Sequence, residues 1–128
     1  YKIKIRKKNY NDFKSKIKDF KNFKILESHS NKNYSSSYYC LAIILNNKNK
    51  EFRNKAILEL KKKGIQPSIY YPHPVPLLNF YKNKYNYSSS SFKNSCRIAY
   101  NSISFPIAPH ISQKNIKYMS KQIKQIIG

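Results

Sequence analysis

Glycine is nearly absent from this chain of 128 residues: Gly64 and the terminal Gly128 are the only two. A phosphate-cradling loop needs clustered glycines so that backbone N–H groups can approach the phosphate, so P-loop and dinucleotide fingerprints are excluded. Acidic residues are scarce too, five against 26 lysines and arginines, and none is obviously paired. Carboxylate-pair glycoside hydrolysis and two-metal chemistry therefore lack their residues. Methionine occurs once, at Met119. With no initiating Met, the chain reads as a piece of something longer. Cys40 and Cys96 lack metal or redox spacing and read as two buried, reduced thiols. His29, His73 and His110 lack metal-ligand spacing, and no serine or cysteine stands in a nucleophile elbow. The longest apolar run, residues 38–45, is far too short to span a bilayer. The N-terminus carries charge but no apolar signal-peptide core. The residues alone show no complete catalytic set.

What is present suits one folded domain. The chain is 40% hydrophobic and 15% aromatic, enough to bury a core despite a net charge of +21. That charge raises the question of a nucleic-acid or acidic-membrane partner. The basic set is nearly all lysine, with only Arg6, Arg53 and Arg97 as arginine. Bidentate readout of phosphate and guanine favours arginine. The lysines are spread along the whole chain, in the company of Asn, Ile, Tyr and Ser. A solvated, compositionally biased surface is the simpler reading; a basic α+β module binding RNA or DNA is the alternative.

The periodicities give an element order. Residues 1–21 predict a helix with Tyr10, Phe13, Ile17 and Phe20 on one stripe. A short strand over 23–26 and a polar loop over 27–37 follow, with His29 as a solvated loop residue. The run YYCLAIIL over 38–45 reads as a central strand. Residues 50–63 predict a helix, with Phe52, Ala56, Ile57 and Leu60 on one side and Gly64 as its stop. Residues 65–71 read as an edge or bulged strand, because Pro67 cannot donate to a ladder. A further helix over 92–101, a brief strand over 102–107 and a last helix capped by Ser112 complete the chain. Several connections are too short for parallel crossovers. The predicted fold class is α+β: a small mixed or antiparallel sheet of three to four strands with helices packed on one face. A doubly wound fold is the alternative.

Residues 61–77, KKKGIQPSIYYPHPVPL, hold the densest signal. Pro72, Pro74 and Pro76 keep the backbone extended and remove three donors. The result is a stiff arm leaving a strand, displaying Tyr70, Tyr71 and His73. Strand alternation predicts one tyrosine buried and the other turned to the opposite face. A ligand-facing wall and an ordinary turn both fit these residues. For His73, substrate contact and a plain surface imidazole stand level; His110, in PIAPHIS, reads as a turn residue before a helix.

The stretch GIQPSIYYPHPVPLLNFY (64–81), then FPIAPHIS (105–112) and the final helix, resembles the C-terminal part of the DegT/DnrJ/EryC1/StrS aminotransferases. The order carries the resemblance: a helix ending KKGI, a strand with S-I-H/Y-Y-P-x-P-L-H, and L-P-x-x-P-x-L-T/S before the last helix. The resemblance implies the small C-terminal domain of an aspartate-aminotransferase-like fold over 22–128, with 1–21 as the helix linking it to a larger domain. It implies a pyridoxal 5'-phosphate enzyme, a cytoplasmic homodimer, that moves an amino group from glutamate to a nucleotide-linked keto-sugar in glycan or secondary-metabolite synthesis. The cofactor-holding and catalytic residues would all lie in the larger domain, so no lysine here takes the Schiff-base role. Tyr70 and Tyr71 match the H/Y-Y pair, implying substrate contact at the active-site mouth. Pro76 stands where the motif has histidine, and His73 lies three residues earlier. Alone, the chain is expected to bind no cofactor and turn nothing over.

Overall fold

The computed structural model describes residues 1–128. Helix α1 (Lys2–Ile17) leads into strand β1 (Phe23–Leu26), β2 (Leu41–Leu45) and helix α2 (Lys50–Lys62). After the arm come α3 (Asn79–Tyr85), α4 (Lys93–Asn101), β3 (Ser102–Phe105) and α5 (Gln113–Ile126). The strands form one antiparallel sheet in the order β1-β2-β3. The fold is the predicted α+β class, with three strands.

Register decides which side chains share a face. Phe23 pairs with Leu45, Ile25 with Ile43, Ile43 with Ile103, and Leu41 with Phe105. Directly paired residues project to the same side of a sheet, so these apolar pairs make one continuous face. α1, α2 and α5 cover it, through stripes such as Phe13–Ile17, Ile57–Leu60 and Ile116–Ile123. Phe13 meets Phe105 edge-on with ring centroids 5.6 Å apart. Each fully buried aliphatic side chain of this kind contributes about 1.5–3 kcal/mol.

Local chemistry sets the helix ends. Asn49 accepts from the Phe52 N–H at 2.9 Å, and Ser112 caps α5 by accepting from Asn115 at 3.2 Å. Gly64 ends α2 with φ +75°, the left-handed conformation in which a side chain is strained. Arg53, on the inner face of α2, is 1% exposed. It donates to the Ala99 carbonyl at 2.7 Å and to Asn54 at 3.1 Å. That bond places a cation on the carbonyl end of α4 and ties α2 to it. Burial lowers the Arg53 pKa from its ordinary value, with Glu51 opposing.

Three expectations are corrected. The run 38–45 becomes a strand only from Leu41, because Tyr38 turns to φ +47° and lays its ring 5.3 Å from Tyr10. Residues 65–71 make no strand: a single bridge joins Ser68 to Ser104, with bonds of 2.9 and 2.8 Å. Extending that pairing would need the N–H groups of Gln66 and Tyr70, and neither bonds to β3; Pro72 has no N–H to carry it further. Cys40 and Cys96 are free thiols, but half-buried.

Candidate functional site

The arm is held at both ends. At its base the paired Ser68–Ser104 bonds fix it along the outer edge of β3. At its tip Pro74 is buried, and a 3-10 turn over Val75–Leu77 closes with the Leu77 N–H donating to the Pro74 carbonyl at 2.9 Å. Prolines between these anchors limit the freedom lost when a ligand binds.

Tyr70, Tyr71 and His73 come together in one groove of about 170 Å³, whose opposite wall is Ile98 and Ala99 of α4. Both tyrosines are open to solvent, 43% and 75% exposed. The expectation that one would be core is corrected. Alternation applies to a residue held in a ladder, and this ladder stops at Ser68. The Tyr70–Tyr71 peptide is cis. His73 is exposed and also borders a second depression with Leu77, Leu78 and Tyr100. His29 is an exposed loop residue, as read from sequence, and His110 is an exposed turn residue before α5, beside a cleft lined by Ile65 and Tyr118.

Tyr70 has a second neighbourhood. Its ring lies 6.0 Å from that of Tyr39, tilted by 54°. The two line a cleft of about 190 Å³ together with Arg6, Cys40 and Ser104. Tyr70, by hydrogen bonding and then by its charge, raises the Tyr39 phenol above its ordinary pKa; Arg6 opposes weakly. Burial raises the Cys40 thiol, with a hydrogen bond from Ser104 acting against it. Cys40 is thus held in its protonated, less nucleophilic form.

Arg6 and Tyr39 were not among the candidates read from sequence. Arg6 did carry a signal: it falls at i−4 from Tyr10 and i−7 from Phe13, on the buried stripe of α1. An arginine on such a stripe needs a reason. Tyr39 carried none, since the contact depends on how the arm returns.

Chemically, the groove offers two phenols that donate and accept hydrogen bonds while their rings pack against a flat or cyclic ligand, and one imidazole. It offers no carboxylate and no lysine. The Arg6 cleft also lacks both. No group of three or more His, Cys, Asp or Glu side chains is placed to hold a metal ion. No helix is long and apolar enough to cross a membrane.

Comparison with known structures puts this geometry in context. A Streptococcus pneumoniae protein assigned as a sugar aminotransferase, in its PLP form, superposes with a TM-score of 0.84 at 24% identity, covering 98% of this chain and 31% of that one. Helicobacter pylori PseC, an aminotransferase of pseudoaminic acid biosynthesis, gives 0.82 at 17% identity, covering 98% and 33%. S. venezuelae DesV, solved with a ketimine intermediate, gives 0.82 at 15% identity, covering 97% and 31%. At these identities the likeness shows the fold. The chain spans about a third of the length of these structures. No curated protein matched. The family model of the DegT/DnrJ/EryC1/StrS aminotransferases, however, matches residues 2–124, nearly the whole chain, and the chain belongs to that family.

Proposed function

We propose that this chain is the small C-terminal domain of a pyridoxal-phosphate aminotransferase that moves an amino group from glutamate to a nucleotide-linked keto-sugar. The observation that carries the reading is the groove in which Tyr70, Tyr71 and His73 stand exposed on an anchored arm. Residues 1–21 would link this domain to a larger one. The packing of α1 supports that: Tyr10, Phe13 and Ile17 are seated in the core while residues 1–4 are exposed.

The residues present do not fit pyridoxal phosphate. Its ring nitrogen needs an acidic or basic partner and its aldehyde a lysine. No carboxylate lines the clefts beside Arg6, Tyr71, His73 or His110, or the lysine groove between α1 and α5. Neither lysine nor acid reaches the tyrosine groove. The cofactor would be held by the larger domain, with this chain forming one wall of the shared cleft. In that place the two phenols would hydrogen-bond sugar hydroxyls or phosphate oxygens, and Ile98 would exclude water from the ring face. His73 would reach the sugar edge from the arm. In the whole protein we place this as a cytoplasmic homodimer.

The test is direct. Purified full-length protein should show the visible absorbance of bound pyridoxal phosphate, and should lose it on adding glutamate as the amino group is taken up. A full-length protein without that absorbance, and without amino transfer from glutamate, would overturn the reading.

One feature favours a second reading, a nucleic-acid module. Lys16, Lys114, Lys117, Lys121 and Lys124 line one groove between α1 and α5, with Phe20 and Tyr118 beside them. Lysines beside aromatics can track a single-stranded backbone. Titration with single-stranded RNA at several salt concentrations separates the two. Tight, steeply salt-dependent binding supports the module; no binding at moderate salt removes it.

A further inference from the structure

Arg53 and Arg6 both lie on the core-facing stripes of their helices, Arg53 buried and Arg6 half-buried, yet only one is satisfied. Arg53 donates to Ala99 and Asn54. The Arg6 side chain makes no hydrogen bond, and the two ion pairs of the chain involve other residues. Its Nε is sealed from solvent with no acceptor. An orphaned, charged donor is costly to bury and calls for an explanation. Four of the five acids, Asp12, Glu27, Glu51 and Glu59, lie on other elements or further along α1, and Asp19 lies past its end; none lines the cleft beside Arg6.

The surroundings say what kind of acceptor is missing. The cleft is about 190 Å³, room for a small group and not for a nucleotide. The hydroxyl-bearing Tyr39, Tyr70, Ser68 and Ser104 line it, with Gln66. These are neutral donors around one planar cation. A guanidinium presents a fork of N–H groups that matches a carboxylate or phosphate with two parallel bonds. Neutral hydroxyls can take up the remaining oxygens without adding negative charge.

We propose that the Arg6 cleft is an anion subsite that takes one carboxylate or one phosphate group, on the far side of Tyr70 from the groove. This rests on the aminotransferase reading for the source of the anion, because both amino donor and nucleotide-linked sugar carry such groups. Tyr70 borders both cavities, so it would contact the ligand in the groove and the anion at once.

The experiment is calorimetric titration of full-length protein with inorganic phosphate and, separately, with glutarate. Arg6→Gln should weaken binding of one probe by at least about tenfold. Arg6→Lys, which keeps the stem and the charge but not the fork, should lose less and report if Arg6→Gln fails to fold. A selective loss for phosphate assigns the site to the nucleotide-linked ligand; a selective loss for glutarate assigns it to the amino donor. Wild-type affinity for both probes in both variants, or no anion binding by the wild type, overturns the proposal. Failure of the aminotransferase reading is seen separately, as missing cofactor absorbance, and leaves the anion titration readable.

Discussion

Tyr39 and Tyr70 face each other with ring centroids 6.0 Å apart and planes inclined by 54°, joining the segment before β2 to the arm that follows α2. Tyr70 holds the Tyr39 phenol protonated beyond its ordinary range. In folded protein Tyr39 should therefore ionise later than a free tyrosine, whose pKa is about 10. The sign follows: a raised folded pKa gives stability that is complete below the unfolded value and lost as pH rises through the folded one. Phenolate absorbance compared between parent and Tyr39→Phe isolates this group. Replacing Tyr70 with Phe should move the Tyr39 component to lower pH; an unmoved component would separate the two rings.

Arg53 is the tie between α2 and the end of α4 that walls the groove. Arg53→Met keeps much of the buried volume but leaves the Ala99 carbonyl without its charged donor. The expected loss is about 1–3 kcal/mol in urea unfolding. Because Ala99 and Ile98 line the groove, ligand binding there should weaken as well. Unchanged stability would mean the bond is replaced by water.

Gly64 tests the backbone alone. A Cβ there meets nothing within 4 Å, so any effect of Gly64→Ala comes from the φ of +75°. The expected destabilisation is about 1–2 kcal/mol. Gly64→Asn, which tolerates the left-handed region, should lose less. Equal stability of all three would show that the helix stop relaxes.

Much of this was legible in the residues, for identifiable reasons. The stripes of α1, α2 and α5 follow a period of 3.6, and each buries the residues its spacing names, such as Phe13, Leu60 and Ile123. Gly64 and Ser112 act at the ends where their chemistry places them. The arm was legible as stiff, because proline removes donors whatever surrounds it. Its tyrosines were misread because alternation was carried past the point where hydrogen bonding ceases. Arg6 and Arg53 look alike among many cations, and only long-range contacts separate a satisfied guanidinium from an unsatisfied one. The partnership of Tyr39 with Tyr70 depends on a chain return that no local pattern encodes.

The most direct test is steady-state kinetics of Tyr71→Ala in the full-length enzyme. Tyr71 is 75% exposed and supports no core, so the variant should fold as the parent does. Contact between Tyr71 and the nucleotide-linked sugar predicts that kcat/KM for that substrate falls by at least about tenfold, with the cofactor's absorbance and thermal stability unchanged. Kinetics equal to the parent's for that substrate would contradict it.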